Sequence, residues 1–402
     1  MTPRRLSQRG FTLVEMMVAV LISMVMSIAV MLVMSTFDGR RRTLGSTSDL
    51  DQSGALAMFQ VDRWLRSAGT GLVQNNATTY GCRLLASYNS TQILPSGTLP
   101  APFASVNPGT AGTFRLAPVM ILPGQTTPGV SGQTSDVLVV MGSGNDAAQV
   151  PLPLTSPPTA SSLPVANITE FSPSDLVLIA DTQPASSGGP KDCMVSQASA
   201  SLSTSGTGTA VALGGTGTKY YSSTIASTSL TGNFTADSAV FDLGAAVNGG
   251  TGAPASFQVI GVGDNNTLYS YDLLNIGGSG VQAQADGVFE MHALYGVPSN
   301  PSSSTKVDTW VNPGSTTTYT VAALSAGTST ASGLLKNIRA VHVALILRTS
   351  LPEKAVVTPG PLTWFNDTSL GSMAQSRTLS ATEQHYRYRV MEATIPVRNN
   401  SF

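Results

Sequence analysis

The sequence predicts an α+β protein: a long N-terminal helix, transmembrane in its first half and amphipathic in its second, packed on a mainly β C-terminal head. Three observations carry that reading. From Phe11 to Met34 the chain is apolar with one charge, Glu15. Leu50, Gly54, Ala57, Met58, Val61, Leu65 and Ala68 then recur at spacings of three and four, the signature of one helix face. Beyond Leu72 no long helical period survives, and short β-type runs alternate with turns rich in Pro, Gly, Ser and Thr.

The first ten residues are short, basic and polar, with Arg4, Arg5 and Arg9 ahead of the apolar run. That run is apolar on every helical face and exceeds the roughly 20 residues a bilayer core requires. The leading arginines put the N-terminus in the cytoplasm. Arg40, Arg41 and Arg42 on the far side oppose that bias, but the leader charges are expected to dominate. Glu15 is the anomaly. A carboxylate in hydrocarbon costs about 2.5 to 3.5 kcal/mol on insertion scales. Either it lies near the membrane surface and is solvated, or it meets a positive charge inside an assembly.

Gly10-Phe11-Thr12-Leu13-Val14-Glu15 resembles the class III signal of type IV pilins and type II secretion pseudopilins. The resemblance implies that a membrane-bound prepilin peptidase cuts after Gly10 and that the new N-terminal Phe11 is N-methylated. It also implies that Glu15 pairs with the N-terminal amine of a neighbouring subunit, supplying the missing charge partner. An ordinary secretory signal has its cleavage site after the apolar core. Here the cut precedes the core, so the span stays on the mature chain. The expected organisation is a leader at 1–10, a transmembrane and filament-core helix at 11–34, an amphipathic continuation at 35–70 and a periplasmic β-rich head at 71–402.

In the amphipathic half, Asp62 and Arg66 stand at i, i+4 and can pair on the outer side. Gly69 and Gly71 are expected to end the helix. Unbroken from Phe11 to Ala68 it would be roughly 85 Å long; Gly39, Gly45 and Gly54 are candidate kinks.

In the head the clearest strands are 137–141, 176–180, 193–196, 239–243, 256–262 and 267–272. Gly261-Val262-Gly263-Asp264-Asn265-Asn266 reads as a hairpin turn, because Asp and Asn tolerate the backbone angles a tight turn needs. Residues 198–218 are so rich in Ser, Thr, Gly and Ala that a mobile or low-complexity insertion is expected. Residues 288–295 read as a strand or short helix, 335–348 as a long strand, and 385–397 as the closing strand.

These last pieces carry a second resemblance. Asp286-Gly287-Val288 with Leu294-Tyr295-Gly296, then Ile338-Arg339-Ala340-Val341 with Leu347-Arg348, then Tyr386-Arg387-Tyr388-Arg389 with Thr394 to Asn399, are similar in order to the minor pilin family called PilW. The middle of the chain, about 85–280, matches no motif.

Cys82 and Cys193 are the two cysteines, both beyond the span. If the head is periplasmic it meets an oxidising compartment, and a Cys82–Cys193 disulfide is expected. Two separate buried thiols are the alternative. Neither cysteine has the spacing of a redox or zinc site.

Charged residues make up 11% of the chain, against about 25% in an average soluble domain. The net charge of −1 offers no broad basic field for nucleic acid. Arg339, Arg348, Arg387, Arg389 and Arg398, interleaved with Tyr386 and Tyr388, read better as alternating strand faces than as a single-strand binding surface. The histidines His292, His342 and His385 lie in expected regular elements without ligand-like spacing, and read as partly buried or strand-surface residues. No nucleophile elbow or phosphate loop occurs. No catalytic residue, metal or cofactor is expected, and no enzyme.

The resemblances together imply a minor type IV pilin that primes assembly or caps the pilus. Its partners would be the prepilin peptidase, other minor and major pilins and the inner membrane, with the head in the periplasm and then at the cell surface. A type II secretion minor pseudopilin and a pilus-tip adhesin are the alternatives.

Overall fold

The computed structural model describes residues 12–72, 76–95, 99–109, 112–125, 135–144, 150–186, 188–202, 208–246, 254–274, 280–302, 304, 306–316 and 318–400. The chain forms two compact units, Met1–Asp51 and Gln52–Phe402.

Helix α1 spans Leu13–Ser67. In the first unit, Leu13–Ser35 has a mean hydropathy of 2.7 and is long and apolar enough to cross a membrane. Every large apolar side chain from Leu13 to Met34 is exposed. The hydroxyls of Ser23, Ser27 and Ser35 donate back to the carbonyls of Val20, Ser23 and Leu32, which satisfies them within the helix itself.

In the second unit, α1 buries Ala57, Val61, Trp64 and Leu65. Asp62 and Arg66 form the i, i+4 pair at 2.6 Å. The helix runs unbroken through Gly39, Gly45 and Gly54, where the sequence reading allowed kinks. Gly54 has a different role. A Cβ there would lie 2.1 Å from Leu347 Cδ1 and 2.6 Å from Met391 Sδ, so the helix lies against the sheet at a contact that admits no side chain. Gly69 and Gly71 adopt positive φ and turn the chain after the helix. Asn399 Nδ2 donates to Ala68 O at 3.2 Å and Thr70 Oγ1 at 2.8 Å, so the far end of the sequence pins this turn.

Strands follow in order: β1 (Leu84–Tyr88), β2 (Thr91–Leu94), β3 (Val119–Gln125), β4 (Ser135–Gly142), β5 (Leu152–Pro153), β6 (Ser162–Pro164), β7 (Asp175–Asp181), β8 (Cys193–Gln197) and β9 (Ala210–Ala212). After helix α2 (Ser223–Asn233) come β10 (Ser238–Ala245), β11 (Ser256–Gly263), β12 (Thr267–Asp272), β13 (Gln282–Asp286), β14 (Val288–Val297) and β15 (Thr309–Val311). Helix α3 (Ser329–Lys336) precedes β16 (Ala340–Arg348), β17 (Leu362–Trp364), β18 (Gln375–Arg377) and β19 (Tyr388–Pro396). Among the described residues these make a six-stranded sheet in the order β2-β1-β8-β7-β10-β5, a five-stranded sheet β13-β12-β11-β4-β3 and a four-stranded sheet β15-β14-β16-β19. Two small ribbons, β6-β9 and β17-β18, complete them.

Three expectations need correction. The 198–218 stretch is not a featureless insertion where it is described: β9 pairs with β6, and Ala198, Val211 and Leu213 are buried in the core over the six-stranded sheet. A few apolar side chains suffice to anchor it. The strand expected from Leu335 begins at Ala340, because α3 occupies 329–336 and Asn400 Nδ2 caps its end on Leu335 O and Ile338 O. The strand expected from His385 begins at Tyr388, with Glu383–His385 in a 3-10 turn. At 264–266 the chain does make a tight turn between β11 and β12, with Asn265 and Asn266 at positive φ.

The four-stranded sheet is covered on both faces. Leu347 and Met391 face Gly54 of α1. On the other face, Phe289, Leu294, Ala344 and Ile346 pack under Leu362, Trp364, Phe365, Leu370 and Leu379. This explains why β16 reads as a near-continuous apolar run rather than an alternating one.

Candidate functional site

Gly10 and Phe11 lie outside the described residues. Glu15 is exposed, one turn into the apolar helix, and its backbone N–H donates to Thr12 Oγ1 at 3.3 Å. Thr12-x-x-Glu15 has the form of a capping box, so Thr12 starts the helix and Glu15 sits at its positive end, where a carboxylate is favoured. Cys82 and Cys193 form a disulfide with their Cα atoms 5.7 Å apart, both buried. Cys193 begins β8 beside Leu84 of β1, so the bond ties the segment after α1 to the centre of the six-stranded sheet.

The head holds a cleft of about 620 Å³ that the sequence reading did not anticipate. Alternation on β14 sends Glu290 and His292 to one face, toward the β17-β18 ribbon. Asp136 enters from the start of β4, Trp364 from β17 and Gln375 and Arg377 from β18, while Asn312 and Ser315 close the rim. His292 Nε2 is 3.2 Å from Glu290 Oε2, and its ring stacks on Trp364 with centroids 4.6 Å apart. The other Glu290 oxygen accepts from Arg377 Nη1, and Arg377 Nη2 donates to Glu383 Oε1 at 2.6 Å.

Asp136 is held differently. Its oxygens accept from Gly124 N at 3.0 Å and Ala293 N at 2.9 Å, and the nearest cationic candidate is His292 Nδ1 at 3.9 Å. Burial pushes the Asp136 carboxyl above its ordinary range, with His292 and the two N–H donors pulling the other way.

The other two histidines are structural. His342 contacts Thr394 Oγ1 through Nδ1 at 2.7 Å and Glu392 Oε2 through Nε2 at 3.0 Å. His385 Nδ1 is 2.9 Å from Glu353 O, in a turn rather than a strand. His292 lies buried in β14, at 8% exposure, and lines the cleft. One signal was available: Glu290 and His292 are two apart in a strand, so they must share a face. Among the described residues no group of three or more His, Cys, Asp or Glu is arranged to hold a metal ion.

An apolar helix with a capped start and a β-rich head fit a membrane-anchored, pilin-like protein. Comparison with known families agrees. The prokaryotic N-terminal methylation motif matches residues 5–31, and the family described as Type IV Pilus-assembly protein W matches residues 259–399. The two matches together support a type IV pilus protein of the PilW family. No curated protein and no solved structure matches it. The second match takes in β12 to β19 and most of the cleft, but not Asp136.

Proposed function

We propose that this chain is a minor type IV pilin that takes part in initiating or capping pilus assembly. One observation carries the reading: a methylation motif opening an exposed apolar helix and a PilW region occur in the same chain. In this reading the prepilin peptidase cuts after Gly10 and Phe11 is methylated. The helix passes from lipid into a bundle of like helices, so its apolar surface stays out of water throughout. The Glu15 carboxylate meets the methylated amine of a neighbouring subunit, which sets register. The head enters the periplasm first, where an oxidising environment suits the Cys82–Cys193 bond.

The test is a deletion strain scored for surface pili and for secreted enzymes, complemented with wild type and with Glu15→Ala. Loss of pili with normal secretion, restored by wild type and not by the processed Glu15→Ala protein, is the expected result. Loss of secretion with normal pili would instead make it a pseudopilin.

A further inference from the structure

We propose that the outer edge of β19 is a docking site for an extended, acidic strand of a partner protein, which joins the four-stranded sheet as a fifth strand. This goes beyond the assembly role and does not depend on it.

β19 lies at the rim of its sheet and pairs on one side only, with β16. The register runs from Ala340↔Pro396 to Arg348↔Tyr388 without a bulge. At its two ends Thr349 N donates to Arg387 O and Val397 N to Arg339 O. Antiparallel alternation then assigns Arg389, Met391, Ala393 and Ile395 to the bonds with β16. The N–H and C=O groups of Tyr388, Val390, Glu392 and Thr394 point away from the sheet, and among the described residues none of them has a hydrogen-bond partner. Glu392 is exposed as a residue although its side chain is only 24% exposed, so what it shows to solvent is largely backbone. The neighbouring side chains cannot fold over the edge to shield it. Tyr388 and Val390 pack on the Phe289 cluster, His342 Nε2 and the Phe365 N–H hold Glu392, and His342 Nδ1 holds Thr394 Oγ1. The edge is therefore preformed and leaves little to order on binding.

The other rims of the three larger sheets are blunted. β2, β5, β13 and β15 are two to five residues long, and β3 is interrupted by a bulge between Leu122 and Gln125 that contains Pro123 and Gly124. β19 has nine residues, no Gly, no Lys, and Pro only at its last position. Short strands, bulges, Pro and Lys are the devices that keep natural sheet edges from pairing with other chains, and a long regular edge without them is a template for an added strand. Charge selects the occupant. Between Arg387 and Arg398 the chain carries three arginines and one carboxylate, Glu392. Arg387 is paired with Glu353 and Glu392 with His342, while Arg389 and Arg398 are exposed, so the edge is basic. A strand with acidic side chains at alternate positions meets that charge, and a lysine-rich one is repelled. A second copy of β19 brings the same arginines together, so a partner of opposite charge fits better than the chain's own edge.

Full-length protein in detergent micelles, at neutral pH and low salt, tests the proposal with three short labelled peptides. One alternates Thr and Glu, one alternates Thr and Lys, and the third is the Thr–Glu peptide with two prolines placed so that each of its edges loses a donor. Fluorescence anisotropy reads binding, and residue-resolved hydrogen exchange reads the edge. In the free protein the amides of Met391 and Ala393 exchange slowly and those of Val390 and Glu392 fast. The Thr–Glu peptide binds and slows exchange at Val390, Glu392 and Thr394. The Thr–Lys peptide binds about tenfold or more weakly, and the proline peptide does not bind. Val390→Pro removes one outward N–H while leaving the bonds to β16, and weakens Thr–Glu binding about tenfold. Arg389→Glu weakens it about fivefold and improves binding of the Thr–Lys peptide; it carries the test if Val390→Pro fails to fold. Near-UV circular dichroism checks that the variants keep the native head. Thr–Glu binding that is absent, matched by either control peptide, or unchanged in the folded variants overturns the proposal. So does slow exchange at Val390 and Glu392 in the free protein. If that protection is independent of protein concentration, the chain covers its own edge; if it grows with concentration, a second copy is the occupant.

Discussion

From Leu13 to Met34 the chain carries its longest apolar run, and every large side chain in it is exposed; from Ala340 to Leu347 a comparably apolar run is fully buried. Composition does not separate the two. What separates them is what the same chain supplies as cover. The strand has α1 on one face, down to the bare Gly54 contact, and the Leu362–Leu379 segment on the other. Among the described residues the helix has no such cover from its own unit; in the function proposed above, lipid or other subunits provide it. The same contrast holds for charge. Glu290 is buried and tied to Arg377 and His292, whereas Glu15 is exposed on an apolar helix. One region carries its partners with it, and in the function proposed above the other meets them in lipid or in the filament.

The largest way to break this comparison is to loosen the self-sufficient region. Replacing Cys82 and Cys193 together by Ser removes a link between positions 111 residues apart. The head should lose about 2–5 kcal/mol of stability. Chemical denaturation with and without reductant checks it: reductant should lower the midpoint of the wild type and leave the double variant unchanged.

A narrower test sets two glycines of α1 against each other. Gly54→Leu drives a side chain into Leu347 and Met391 and should cost about 1–3 kcal/mol by overpacking. Gly45 has nothing within 4 Å of where a Cβ would stand, so Gly45→Leu should leave head stability unchanged. Equal effects on the thermal midpoint would mean that helix propensity, not contact, sets the outcome at both positions.

How much of this was legible in sequence follows from the range of each interaction. The apolar span, the face through Ala57, Val61 and Leu65, and the runs that became β4, β7 and β10 are local patterns, and each has its expected structure. Helix α2 was not legible. Its residues offer only Ile225, Ala226 and Leu230 as apolar anchors, and its start depends on a Ser222 cap that looks like any loop serine. The boundary of β16 was misplaced because Asn400, far along the chain, supplies the amide that closes α3. The cleft was half legible. Glu290 and His292 share a strand face by spacing alone, but Asp136 and Trp364 arrive through tertiary packing that no local period encodes. The PilW-like pieces at the C-terminus were recognisable in order, yet only the structure shows that Asn399 and Asn400 pin the ends of two helices.

The smallest expected effect is a pH dependence of the head that the exposed helix should not share. Burial raises the Asp272 carboxyl from its ordinary value to about 7, against the pull of the Leu274 and Phe257 N–H groups. Asp175 is likewise raised to about 7, by burial first and by neighbouring Asp242 second. A carboxyl raised in the folded state holds its proton where the unfolded chain has already released it. Between about pH 4 and 7 the native state therefore binds more protons, and stability falls as pH rises through that window. Asp308, Asp367 and Glu383 are held low, so their contributions are lost only as pH falls through more acidic values. Asp272→Asn keeps an oxygen for the Leu274 N–H and removes the charge. The variant should match wild type near pH 4, melt a few degrees higher near pH 8, and keep a residual slope from Asp175. A wild-type midpoint that instead climbs from pH 4 to 7 would show that the buried carboxyls of this head are not held protonated.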